Sequence, residues 1–204
     1  MSNGHFAQFL SFFGYCKETL SFTIILISFS RKYSYVTKTL LKVSEPNKLR
    51  EYLKNEMNKN YKYLTYPNSK KILHEELDNI DIYGDGSLEK NVEHIVPQSK
   101  FKDKPERLLM RSDLHNLYLC NSKLNNLRQN FRYIDTKEVN MNDNIIILDM
   151  LGKEIIDKNE IFKKLGYLMG TNTKKKIFIP TNYSRGKIAR SLSYFTIKYD
   201  FIDE

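Results

Sequence analysis

Glu93 and His94 stand side by side near the start of residues 92–133 (VEHIVPQSKFKDKPERLLMRSDLHNLYLCNSKLNNLRQNFRY), and Asn116 and Asn125 follow in the same stretch. Carboxylate, imidazole and carboxamide together are what a hydrolytic site with one hard metal ion requires. To cut a phosphodiester, water must lose a proton near neutral pH, the charge of the transition state must be stabilised, and the departing oxygen must be neutralised. Histidine, with an unperturbed pKa of about 6.5, is the natural base. A hard divalent cation takes carboxylate and amide oxygens and keeps other positions for water and phosphate. His94 is therefore the candidate base, and Glu93 and Asn125 are the candidate metal ligands. Asn116 is expected to hydrogen-bond the backbone of the loop after His94 and so fix the imidazole. His115 reads as a further ligand, a proton partner or, in preference, a satisfied structural histidine. Arg107, Arg111 and Arg128 are candidates for neutralising phosphate, because a guanidinium stays charged and pairs bidentately. Spacing alone does not choose among the three. A polar loop with a surface Glu-His pair would use the same residue types.

The elements that must position these residues read as strand, loop, strand, helix. Adjacent residues on a strand point to opposite sides, so Glu93 and His94 can share a site only where the pleat relaxes before Pro97. The second strand is expected to carry His115 and Asn116, and a helix over about 122–131 to offer Asn125 from its first turns. Upstream, residues 46–80 read as helical. Ser44 or Asn47 caps a segment with Leu49, Tyr52, Leu53 and Met57 at helical spacing, Pro67 and Asn68 break it, and a second helix carries Ile72, Leu73 and Leu77. Tyr61, Tyr63 and Tyr66 read as a half-buried stripe in preference to a base-stacking surface. Residues 81–87 are turn chemistry. Downstream, residues 144–156 suggest a hairpin turning near Gly152, Ile177–Ile179 a strand stopped by Pro180, and a closing helix carries Ile188, Ala189, Leu192, Phe195 and Tyr199 on one face. The expected fold is α+β, a strand–strand–helix core surrounded by helices and mixed with short strands.

The chain has 204 residues and a formal charge of +9. That surplus favours polyanionic partners, nucleic acid or an anionic membrane surface, although Lys-rich and Asn-rich usage can also follow from an AT-rich genome. Residues 171–190 contain several basic residues and no acidic one, which makes Lys174, Lys175, Arg185 and Arg190 candidates for contact with a nucleic-acid backbone. Cys16 and Cys120 lie too far apart in sequence to suggest a metal-ligand pair or a disulfide framework. Cys120 reads as a buried thiol, and the low cysteine count favours an intracellular location. Residues 1–45 read as an extension or a leader ahead of a domain over 46–204. Their apolar run at 20–29 is shorter than the roughly 20 residues a membrane span needs. It could be the core of an atypical secretion signal with Ser28 and Ser30 before the cut, but no positive charge precedes Lys17. No stable membrane insertion is expected, and a monomer is. There are no internal repeats and no Gly-rich phosphate loop.

At these residues the sequence resembles the endonuclease I family of His-Me finger (ββα-metal, HNH-like) nucleases. VEHIVPQSKF is similar to that family's block around its catalytic histidine. MRSDLHNLYLCNSKLNNLRQNFRY is similar to its second block, and FIPTNYSRGKIARSLSYFTIKY to its C-terminal helix. The resemblance implies His94 as general base, Glu93 and Asn125 as ligands of Mg2+ (replaceable by Mn2+ or Ca2+), and Asn116 as the bracing asparagine. It implies cleavage of DNA and/or RNA with little sequence preference. The family's phosphate-contacting arginine would fall on Arg111 first and Arg107 second. The chain departs from the pattern at Lys90, Asn91 and Val92, where members often carry tryptophan and arginine, and at Arg128-Gln129-Asn130, where many carry Arg-Gly-Asn. Two other readings use the same residues: a non-catalytic nucleic-acid-binding protein on this scaffold, which would bind duplex without cutting it, and a sequence-specific HNH enzyme, which would give discrete bands.

Overall fold

The computed structural model describes residues 46–59, 61–75, 81–84, 90–140, 142–155 and 165–201. The expectations placed on residues 1–45, on Leu77 and on the ends of the 81–87 and 144–156 segments lie outside them. The chain divides into two units, Met1–Tyr61 with Thr196–Phe201 and Lys62–Phe195 with Ile202–Glu204.

In the first unit, helix α1 (Pro46–Lys59) opens on a proline, the first helical position, where a missing N–H costs nothing. Leu49 and Leu53 lie one turn apart and are buried with Ile197, and Tyr52 and Met57 pack against them. Arg50 donates to the Thr196 carbonyl and to Asp200, and Lys54 also pairs with Asp200. Tyr61 lies under the Lys198 ammonium, 3.0 Å from its ring centroid.

The second unit begins with α2 (Tyr66–Glu75). Pro67 was expected to break a helix; it sits in the first turn of one instead, where its fixed φ suits the helix and no hydrogen bond is lost. Leu73 is buried against Val92, Leu117 and Leu119. Strand β1 (Lys90–His94) pairs antiparallel with β2 (Leu117–Asn121), with Val92 opposite Leu119 and His94 opposite Leu117. Between them run a 3-10 turn at Gln98–Lys100, helix α3 (Arg107–Ser112) and a second 3-10 turn at Leu114–Asn116. His115 and Asn116 thus precede the second strand instead of lying on it. The Asp113 carboxylate accepts the His115 backbone N–H, an Asx-type closure that offers the backbone a turn in place of the ladder. Residues 81–84 are tied to β2: Asp81 accepts from the Asn121, Tyr83 and Gly84 N–H groups, and Ile82 donates to the Leu119 carbonyl.

Helix α4 (Ser122–Arg128) follows β2 directly. The Asn121 side chain accepts the Lys123 and Leu124 N–H groups as N-cap. The helix stops three residues before the expected end, because Gln129 turns to φ 53°, ψ −124° and Phe131 donates to the Arg128 carbonyl. This is a type II′ turn with a non-glycine at the position glycine prefers. Gln129→Gly is expected to raise stability by roughly 1 kcal/mol, read as an increase of about 2–4 °C in melting temperature. A melting temperature that fell would show that the Gln129 side chain has a packing role that outweighs the strain.

A second sheet has the order β3 (Arg132–Tyr133), β6 (Ile177–Ile179), β5 (Met169–Asn172), β4 (Ile146–Leu148); β3 and β6 run parallel and the other pairs antiparallel. Of the hairpin expected over 144–156, the first arm is strand β4 and the return pairs back on it, the Ile155 N–H donating to the Ile147 carbonyl; residue 156 lies outside the described residues. The chain turns at Gly152 (φ 72°) and bridges from Leu148 to Glu154. Asp149 takes up the Leu151 and Lys153 N–H groups inside the turn, and β4 pairs with β5. Strand β6 ends at Pro180 as expected. The closing helix α5 (Asn182–Tyr199) buries Ile188, Leu192 and Phe195, and Ser191, Ser193 and Tyr194 as well, so its buried surface is wider than the single face read from the sequence. The fold is α+β, with five helices and two small sheets among the described residues. No helix there is long and apolar enough to cross a membrane.

Candidate active site

Glu93 and His94 leave β1 in different directions. Glu93 is 1 % exposed. Its Oε1 accepts from Arg128 Nη1 at 2.6 Å and from the Tyr83 and Tyr133 hydroxyls at 3.1 Å each. The two hydroxyl oxygens also lie against each other, and the Arg128 guanidinium lies 4.3 Å from the Tyr133 ring centroid. Arg128 donates further to the His94 and Ile95 carbonyls. Every one of Glu93's donors among the described residues converges on Oε1, which leaves Oε2 for another partner. Burial pushes the Glu93 carboxyl above its usual pKa, and Arg128, Tyr133 and Tyr83 pull it back. Burial also raises both phenols well above theirs.

Asn125 stands one turn before Arg128, so both side chains face β1. Its Nδ2 donates to the Val92 carbonyl at 3.2 Å. The amide oxygen has no hydrogen-bond donor among the described residues and is the second oxygen available beside Glu93.

His94 is 7 % exposed. Its Nε2 lies 3.0 Å from the Arg111 carbonyl. A carbonyl can only accept, so this bond assigns the proton to Nε2 and leaves the Nδ1 lone pair free. Burial lowers the pKa to about 4; the charges of Arg111 and Arg128 push the same way and the bond to the carbonyl opposes them. The imidazole is neutral at pH 7. The Tyr66 ring lies 5.6 Å from it, and the Arg111 guanidinium stacks on Tyr66 at 4.4 Å. Asn116 is fully buried. Its Oδ1 accepts from the Val96 N–H at 2.7 Å, its Nδ2 donates to the Val96 carbonyl at 3.0 Å, and its own carbonyl accepts from Ile95. A side-chain amide thus holds the backbone past His94 as a neighbouring strand would.

The structure gathers Glu93, His94, Asn116, Asn125, Arg111 and Arg128 around β1. Arg111 is exposed, and Arg107, one turn earlier on α3, is exposed too. Arg128 was read as a nucleic-acid contact, but it is 2 % exposed and its guanidinium is turned inward onto Glu93 and two carbonyls. His115 is half exposed. Its Nδ1 bonds Asp113, its ring stacks on Tyr194 at 4.0 Å, and Tyr194 donates to the other Asp113 oxygen. The remaining candidates lie elsewhere in the unit. Lys174 and Lys175 are exposed in the β5–β6 turn, with Lys175 paired to Asp143. Arg185 is held by Asp135 and Thr136, and Arg190 is partly buried on α5. Cys120 is buried as expected, and burial raises its thiol.

Sequence reasoning passed over Tyr66, Tyr83, Tyr133 and Asn121 as parts of this site. Asn121 had a usable signal, since an asparagine directly before a helix is a cap. The tyrosines had none, because nothing in spacing says which phenol will meet a carboxylate. Among the described residues no group of three or more His, Cys, Asp or Glu gathers to hold a metal; one carboxylate and one carboxamide form a set of a different kind.

The chain is a nuclease. The Endonuclease I family model matches residues 30–202, most of its length, and the chain belongs to that family. A search of curated proteins finds none that matches it.

Proposed function

We propose that the chain is a metal-dependent, largely sequence-nonspecific endonuclease that hydrolyses phosphodiester bonds in DNA and/or RNA, with His94 as general base, and that β1, β2 and α4 are its ββα-metal unit. The observation that carries this reading is the state of His94: neutral at pH 7, with its proton held on Nε2 by the Arg111 carbonyl. Nδ1 is then a ready acceptor for a proton from water. Asn116 keeps the imidazole in place through Val96.

Glu93 Oε2 and Asn125 Oδ1 fit a hard cation. Both are oxygens, both are left over once the other hydrogen bonds of these side chains are made, and two ligands suit Mg2+, which keeps several waters. Mn2+ and Ca2+ take the same donors. Such an ion supplies positive charge to the scissile phosphate and to the departing oxygen. Arg128 and the two phenols hold Glu93 by one oxygen and leave the other over. Arg111, exposed beside Tyr66, is read as the partner of a phosphate oxygen, and Arg107, one turn earlier, as its alternative. Lys174, Lys175, Arg185 and Arg190 are read as contacts to the nucleic-acid backbone, insensitive to sequence and sensitive to salt.

Cleavage of plasmid and of RNA is to be measured with Mg2+, with EDTA, and with His94→Ala protein. EDTA is expected to abolish cleavage, and full activity in EDTA would overturn the metal's role. Asn125→Ala is expected to raise the Mg2+ concentration for half-maximal rate by about ten-fold or more, the scale on which metal-site partners act. An unchanged Mg2+ requirement would remove Asn125 from the ligand set.

A further inference from the structure

Helix α5 presents a face, exposed at Tyr183 and Gly186 and half-buried at Lys187 and Arg190, that the site around β1 does not use. Tyr183, Gly186, Lys187 and Arg190 recur at the i, i+3, i+4, i+7 spacing of one helical face. Tyr183 is 55 % exposed. The Lys187 ammonium lies 4.2 Å over its ring and donates to its hydroxyl. The helix carries no acidic residue anywhere along its length.

Two glycines shape this face. Gly166 (φ 95°) lies so close to the start of α5 that a Cβ there would meet Asn182 and Arg185 at 2.9 Å, and its carbonyl accepts the Asn182 N–H. The next residue, Tyr167, follows directly on this contact with the first turn of α5. It is 73 % exposed. Gly186 is the opposite case. It is exposed, and a Cβ there would meet only the flexible end of Arg190, at 3.4 Å. Glycine weakens a helix interior, and no packing among the described residues requires it here. A glycine of this kind suits a ligand backbone that lies directly against the helix.

We propose that Tyr167, Tyr183, Gly186, Lys187 and Arg190 form a binding face for single-stranded nucleic acid. Two exposed rings offer stacking surfaces that take any unpaired base, and bases inside a duplex are closed to them. The strand's phosphates cross Gly186 and meet Lys187 and Arg190. Asp135, which reaches the first turn of α5, is engaged with Arg185, and Glu138 accepts the Asp135 N–H. This rests on the nuclease reading above and adds to it a preference for unpaired strands among its substrates.

The test is fluorescence anisotropy of the full chain in EDTA, with a dye-labelled single-stranded oligonucleotide and with its duplex. The native protein is expected to bind the single strand more tightly. Replacing Tyr167 and Tyr183 together by Ala is expected to weaken the single-strand complex about ten-fold or more and the duplex complex little. Replacing both by Phe keeps the rings and is expected to restore binding. Gly186→Leu is expected to melt no lower than the native protein and yet bind the single strand less well. Single-strand affinity unchanged in the folded double Ala variant, equal loss for duplex, or a Phe variant as weak as the Ala variant would each overturn the proposal. Because EDTA separates binding from cleavage, tight single-strand binding in a protein that cuts nothing with Mg2+ would overturn the catalytic reading and leave this one standing.

Discussion

His94→Ala is expected to lower the rate of nucleic-acid cleavage by about a hundred- to ten-thousand-fold, the usual contribution of a positioned acid or base. The protein is expected to stay folded. The substitution leaves the Arg111 carbonyl without its donor and opens space beside Tyr66, a cost of about 1–3 kcal/mol for the unmet acceptor. A circular-dichroism melt alongside the cleavage assay separates the two effects, and a native rate in the folded variant would remove His94 from the mechanism. The pH profile carries a second check. A pKa held near 4 keeps the imidazole in its base form as pH falls from 8 to 5, so His94 should impose no loss of rate there. An unperturbed imidazole would lose half its base form at about 6.5. The same shift bears on stability. The unfolded chain takes up the proton near pH 6.5 and the folded one only near 4. His94 therefore contributes stability fully above pH 6.5, and that contribution is lost as pH falls from 6.5 toward 4.

What the sequence disclosed and what it withheld divide along physical lines. The strands Lys90–His94 and Ile177–Ile179, the helices on either side of them, and the stop at Pro180 follow from local pattern, and local pattern is visible in one dimension. The misreadings came where a side chain competed with the ladder or ended it. Asp113 drew His115 and Asn116 into a 3-10 turn. Gln129 ended α4 early in a conformation that its residue type does not announce. Within the site, Glu93, His94, Asn116 and Asn125 were legible because chemistry restricts which residue types can serve. Tyr83 lies ten residues before Glu93 and Tyr133 forty after it. Their convergence on one carboxylate oxygen depends on the tertiary fold. Arg128 shows the limit most sharply. A basic residue in a positively charged chain reads as a phosphate contact, and only burial reveals an internal counter-ion.

That internal role predicts the largest loss of stability in the molecule. Arg128→Met is expected to cost about 3–5 kcal/mol, the range for removing one partner of a buried ion pair. It leaves the buried Glu93 carboxyl without its counter-ion and strips the donor from the His94 and Ile95 carbonyls. For a chain of this size the melting temperature should fall on the order of 10 °C. Arg128→Lys should recover little, because one ammonium cannot span Glu93 and two carbonyls at once. Adding Glu93→Gln to Arg128→Met should recover part of the loss, since it removes the orphaned charge, so the two substitutions should be strongly non-additive. A phosphate contact makes a different prediction. Losing one would leave the melt unchanged and lower the salt dependence of nucleic-acid binding by about one unit in the log–log slope. A native melt together with that reduced slope would return Arg128 to the nucleic-acid surface. A lowered melt with the slope of the folded protein intact would fix it as the residue that turns one oxygen of a buried carboxylate toward the site.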